Sequence, residues 1–263
     1  MVKDHARIIG TVMLLVALGL GVGLAGVAIR GAWAQPAVDA PIRCAVLHGR
    51  PALDACDEAM RSRRPVAIRA EAAYNKGVEL GELGRHEEAV AAYRIAIRVR
   101  PDYAAAHTNL GFALSRLDRW DEARLAYEQA VRLVPDDVDA RYDLGVALAA
   151  LDRPEDALRE FRQALRRAPL DADVHYNVGR TLNSLGRHAE AAQAYREAVR
   201  ARPAYADAWG NLGLSAILIG QYGEAREAFE RASALVPGYF DSRPIQRQAW
   251  ELVSRLSRRP DPR

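Results

Sequence analysis

Lysine is nearly absent from this 263-residue chain: of 37 basic residues all but Lys3 and Lys76 are arginine, and 34 acidic residues bring the net charge to only +3. The arginines alternate with Asp and Glu instead of gathering with aromatics on one stretch, as a nucleic-acid surface requires, so no nucleic-acid partner is expected. Cysteine occurs only at Cys44 and Cys56, and His48 is the one histidine near them, so no metal site is expected. The six histidines are scattered, with His86 and His188 at one position of a repeated pattern and His107 and His175 at another. No catalytic triad or carboxylate pair can be assembled, and no enzyme activity is expected. Gly21, Gly23 and Gly26 have the spacing of a dinucleotide turn but lie inside an apolar run without a strand before them, so no cofactor is expected.

Long apolar runs are also missing, with one exception. Lys3 and Arg7 precede an uncharged run from Ile8 to Ile29, followed by Arg30 and by Ala32-Trp33-Ala34. Residues 1–34 therefore read as a signal peptide cleaved near Ala34 or as a retained signal anchor with a single transmembrane helix over 8–29, which at about 1.5 Å per residue spans a bilayer core about 30 Å thick. Both readings leave the rest of the chain outside the cytoplasm, in the periplasm of a Gram-negative cell, because the positive charges stay inside. Cys44 and Cys56 suit an oxidising compartment and are candidates for a disulfide, with free thiols the alternative.

What the chain does contain is one pattern written five times at a step of thirty-four residues. Its columns are Pro101, Pro135, Pro169, Pro203 and Pro237; Gly77, Gly111, Gly145, Gly179 and Gly213; Ala89, Ala123, Ala157, Ala191 and Ala225; Tyr93, Tyr127, Phe161, Tyr195 and Phe229; and Ala96, Ala130, Ala164, Ala198 and Ala232. Leu110, Gly111 and Leu114 share one helical face, and so do Ala123, Tyr127 and Ala130. Each unit therefore holds two amphipathic helices, with Gly and Ala where the helices approach closely and an aromatic filling the remaining space. The expected units are 70–103, 104–137, 138–171, 172–205 and 206–239. Before them, 35–69 reads as a linker and a degenerate half-repeat in which Ala52, Cys56 and Ala59 keep the second-helix spacing. After them come a capping helix over 240–257, with Asp241 or Ser242 as its cap, and a disordered tail over 258–263. A lone pair cannot cover its apolar stripe, so the units must stack.

These columns closely resemble the tetratricopeptide repeat family, whose unit has the same length and the same order of Gly, Ala, aromatic, Ala and Pro. The family's large first-helix residue stands here only as Trp209, with Ala73, His107, Arg141 and His175 at the matching positions. The resemblance implies an all-α, right-handed solenoid whose first helices line a concave groove. The residues it places there are Asn75, Asn109, Asp143, Asn177 and Asn211, with Tyr74, Tyr142, Tyr176, Phe112 and Arg180 around them. An amide row of this kind offers donors and acceptors to the backbone of an extended peptide, or only helps the helices pack. Tyr74, Val78, Asp139 and Asp143 occupy places where the family's carboxylate-gripping subtype needs cations, so binding of that type is not expected; Arg116 and Arg180 are the groove-side cations. The implied function is a non-enzymatic scaffold holding an extended segment or helix of an envelope protein. The alternative is a structural or self-assembling part of an envelope complex.

Overall fold

The computed structural model describes residues 39–61 and 65–256. The expected signal or anchor segment 1–34, with its apolar run 8–29, and the expected tail 258–263 lie outside the described residues. Among the described residues no helix is long and apolar enough to cross a membrane.

Thirteen helices and no strand are found there. Two short ones lead, α1 (Ala40–Val46) and α2 (Arg50–Arg61). Five pairs follow: α3 (Val66–Glu82) with α4 (His86–Val99), α5 (Ala104–Ser115) with α6 (Trp120–Leu133), α7 (Val138–Ala150) with α8 (Pro154–Arg167), α9 (Ala172–Ser184) with α10 (His188–Ala201), and α11 (Ala206–Leu218) with α12 (Tyr222–Leu235). Helix α13 (Pro244–Leu256) closes the series.

Two local devices set the helix lengths. Arg100, Val134 and Arg202 leave the helical conformation just before Pro101, Pro135 and Pro203, with φ of −138°, −131° and −135°, because a proline ring clashes with a helical residue before it. Between the two helices of a pair the chain passes through a left-handed residue, Gly84, Asp118, Asp152, Gly186 or Gly220. The amide after it closes the helix end, as in Arg85 N to Leu80 O at 2.8 Å, and does so also after Asp118 and Asp152, Arg119 N to Leu114 O at 3.0 Å and Arg153 N to Leu148 O at 2.9 Å.

The glycine column exists because an aromatic ring lies on it. A methyl group added at Gly77, Gly111, Gly145, Gly179 or Gly213 would fall 2.5–2.8 Å from a ring atom of Tyr93, Tyr127, Phe161, Tyr195 or Phe229 respectively. Those rings are buried, and Tyr93, Tyr127, Phe161 and Tyr195 join Leu80, Leu114, Leu148 and Leu182 in one core running along the stack.

Each helix packs on its neighbours in sequence, and the first helices also touch across units: α3 on α5, α5 on α7, α7 on α9 and α9 on α11. Second helices of neighbouring units approach less closely and meet through long side chains, such as Arg94 with Glu122. The first helices are therefore the more closely spaced row.

At the N-terminal end, α2 supplies the fully buried Ala52, Cys56 and Ala59, and Cys56 is disulfide-bonded to Cys44 of α1. At the C-terminal end α13 starts at Pro244, one to two residues later than a cap at Asp241 or Ser242 requires. Proline at the first position lacks only an N–H that a helix start leaves unpaired, and Asp241 instead accepts a 2.9 Å bond from Arg247.

Candidate functional site

The first helices α3, α5, α7, α9 and α11 lie side by side, and the amide column runs across them. Its geometry follows a rule of thirty-five residues, one unit plus one. Asn109 Nδ2 donates to Tyr74 Oη at 3.0 Å, Asn177 Nδ2 to Tyr142 Oη at 2.9 Å, and Asn211 Nδ2 to Tyr176 Oη at 3.2 Å. These bonds tie each first helix to the one before it. Burial pushes the three phenols above their usual range, and on Tyr74 the Asn109 donor pulls back down, so all three stay protonated at neutral pH.

The donor side of the amide row is therefore engaged within the protein. Asn177 Nδ2 also reaches the Asp173 carbonyl at 3.0 Å. The amide oxygens of Asn109 and Asn211 accept no hydrogen bond among the described residues. Asn75 and Asp143 lack the tyrosine thirty-five residues earlier, where Ala40 and Thr108 stand. Asn75 lines a shallow apolar cavity with Pro41, Ile42 and Ile68.

Two further cavities open along the same face. One, of about 460 Å³, is walled by Phe112, Trp120, Tyr142, Asp143 and Val146. The next, of about 290 Å³, shares Val146 and adds Asn177, Arg180 and Thr181. Phe112 is 52% exposed, so its ring is open to solvent beside the first cavity. Arg180 is exposed, with its guanidinium 6.0 Å from the Tyr176 ring. Of the sequence-expected groove residues the structure thus brings Phe112, Tyr142 and Asp143 to one cavity and Asn177 and Arg180 to the next. Tyr74, Asn75, Tyr176, Asn109 and Asn211 stand apart from both.

Four members of the column Ala73, His107, Arg141, His175 and Trp209, all but Ala73, share a role that residue type conceals. His107 Nε2 lies 2.9 Å from the Pro101 carbonyl, His175 Nε2 lies 2.9 Å from Pro169 O, Arg141 Nε donates to Pro135 O at 2.8 Å and Trp209 Nε1 to Pro203 O at 2.9 Å. Each long side chain carries an N–H back six residues to fasten the turn between units. His107 and His175 are thereby structural. Sequence reasoning also passed over Glu79, a buried carboxylate in a column otherwise made of Ala113, Ala147, Thr181 and Ser215. Its oxygens take the Gly49 amide and His48 Nδ1, pinning the α1–α2 turn to α3. Glu82, three residues on along α3, joins His48 and Glu79 in a cluster whose polar atoms lie within 4.8 Å of one another.

Arginine is paired across units, Arg94 with Glu122 at 2.7 Å and Arg196 with Glu224 at 2.6 Å, and within one unit, Arg202 with Asp173 at 2.6 Å. Exposed pairs of this kind are each worth about 1 kcal/mol or less.

Models of the tetratricopeptide repeat match residues 74–137, 111–158 and 142–206, and a second such model matches 182–243. The chain belongs to the tetratricopeptide repeat family. Among solved structures, YrrB, described as a TPR protein with an unusual peptide-binding site, matches with TM-score 0.63 and 23% identity over 76% of this chain and 99% of that one. A crystal structure of MamA matches with TM-score 0.58 and 24% identity, covering 60% and 93%. MamA from Desulfovibrio magneticus RS-1 matches with TM-score 0.60 and 22% identity, covering 63% and 94%. At these identities the tetratricopeptide fold is what they share. No match is found among curated proteins.

Proposed function

We propose that this tetratricopeptide repeat protein is a non-enzymatic scaffold that holds an extended segment or helix of another envelope protein along its row of first helices. The observation that carries the reading is the pair of adjoining cavities on that row, separated by Val146 and rimmed by the exposed Phe112 and Arg180. Pockets of a few hundred Å³ spaced one unit apart suit successive side chains of one peptide. YrrB, with its peptide-binding site, has the same fold, and a peptide occupant is the reading carried over here.

Export through residues 1–34, by cleavage near Ala34 or by anchoring through 8–29, belongs to the same proposal. The Cys44–Cys56 disulfide supports it, since such bonds persist in oxidising compartments. A photoreactive residue placed in the full chain at Phe112 or at Arg180 is expected to crosslink one discrete partner in producing cells, and the same probe at the outward Arg159 is not. Equal yields at all three positions would refute the groove. A second reading, self-assembly through the ends, is favoured by Ile245 and Leu252, 67% and 49% exposed on α13. Light scattering of the full chain across concentration separates the two, because only self-assembly raises the mass.

A further inference from the structure

Asp143 departs from its column in composition and in bonding. Asn109, Asn177 and Asn211 each meet a tyrosine from the preceding unit, whereas the residue facing Asp143 is Thr108, whose hydroxyl turns back to the Ala104 carbonyl of its own helix at 3.4 Å. Among the described residues Asp143 takes part in no hydrogen bond and no ion pair. Its carboxyl is pushed up to about 7, first by burial and then by the negative charges of Asp139 and Asp137, with no cation acting in the opposite direction. Asp143 is half-buried, and its carboxylate, without a partner among the described residues, opens onto the cavity.

The remaining walls match one kind of occupant. Phe112 from α5, Trp120 at the start of α6 and Tyr142 and Val146 from α7 give aromatic and aliphatic surface suited to a long alkyl stem, and Asp143 stands among them. Other charged or titratable groups on the cavity are Arg116, Asp118 and Tyr127; Arg116, its one lining cation, is exposed and makes no ion pair within 4.0 Å of any carboxylate among the described residues. We propose that this cavity is the subsite for one basic side chain, Lys or Arg, of the bound peptide, with the Asp143 carboxylate receiving the cation and the rings of Phe112, Trp120 and Tyr142 covering its stem. The assignment rests on the groove reading above. A guanidinium or ammonium there gains a charge-assisted hydrogen bond and aromatic faces together. The neighbouring cavity carries Arg180 and no carboxylate other than Asp152, so a basic residue fits the first far better than the second.

The test is selection from a randomised dodecapeptide library on the immobilised full chain, with wild type and Asp143→Asn compared at pH 8 and at pH 6. Asparagine fills this column in the other four units, so the variant is expected to fold, and circular dichroism checks that it does. Wild type at pH 8 should enrich Lys or Arg at one fixed position, and Asp143→Asn should bind the selected peptides about tenfold or more weakly. The preference should shrink about tenfold at pH 6, where a carboxyl titrating near 7 is mostly protonated. Selected binders without a Lys or Arg preference, or a preference kept by Asp143→Asn, would overturn the subsite and leave the groove standing. Selection of peptides that bind better at pH 6 would overturn it too, since a protonated Asp143 would then be acting as a donor. If no peptide is selected by either protein, the groove falls together with the subsite.

Discussion

The two ends of the stack solve one problem by different means. A repeat array leaves an apolar face bare at each end, and something must cover it. At the N-terminal end the cover is α1, seven residues long and built on Ala40 and Cys44, with too little apolar surface to hold itself in place. A covalent bond supplies the missing hold, joining Cys44 to Cys56, and Glu79 ties the following turn to α3. At the C-terminal end the cover is large and non-covalent. Phe240 stacks on Trp250 at 6.1 Å between centroids, Phe229 meets both rings edge-on, and Tyr239 meets Phe240 at 5.4 Å. The aromatic end needs no crosslink because its rings bury enough area, while the alanine-lined end does not.

The largest effect should come from removing the centre of the aromatic end. Phe229 is fully buried, under Gly213 and against Phe240 and Trp250, and Phe229→Ala should cost about 3–5 kcal/mol. Hydrogen exchange should show the loss in α11, α12 and α13 first, since stability in such arrays is passed between neighbours. Loss spread evenly over all units would mean that the ends are not separate problems. Next, replacing both Cys44 and Cys56 by Ser should cost about 3 kcal/mol, the loop-closure contribution for so short a loop. Protection should fall in α1 and α2 while α9 to α13 keep theirs; an unchanged exchange pattern would show that the disulfide adds nothing to packing.

What the sequence shows of this molecule is whatever recurs as the same residue type. The Gly, aromatic, Ala and Pro columns give the helix pairs and their contacts, because each position is filled by one chemistry for one steric reason. The fastening column escapes the same scan, since His107, Arg141, His175 and Trp209 are alike only in carrying an N–H on a long arm. The amide row is visible, but not its partners: Tyr74, Tyr142 and Tyr176 sit one residue before Asn75, Asp143 and Asn177 of their own units, and the bonds run to the next unit, a spacing that appears only when two first helices are laid together. Asp143 is legible as an exception and not as a cavity wall, because the wall is assembled from three helices.

A third substitution tests how tightly the aromatic end is fitted. Gly210 stands where other units carry Tyr or Thr, and a methyl group added there would run into the Tyr239 hydroxyl. Tyr239 is 1% exposed and its phenol is pushed up to about 12, chiefly by burial, so the ring has no open side to move to. Gly210→Ala should therefore destabilise by about 1–3 kcal/mol, read from the melting curve. A neutral result would mean that the C-terminal cover is loose.

The same exchange at the opposite end should carry the opposite sign. Gly81 lies in the last turn of α3, beside the crosslinked half-repeat, and a methyl group added there meets no atom within 4 Å. With no clash to relieve, only the backbone term remains: alanine restricts the unfolded chain and favours the helix, so Gly81→Ala should stabilise by about 0.5–1 kcal/mol. Measured in the Cys44→Ser, Cys56→Ser background as well, the gain should be unchanged if α3 holds its structure without the cover. A gain that vanishes there would show that the last turn of α3 forms only when the disulfide fastens the end, and that the first unit and its cover fold as one.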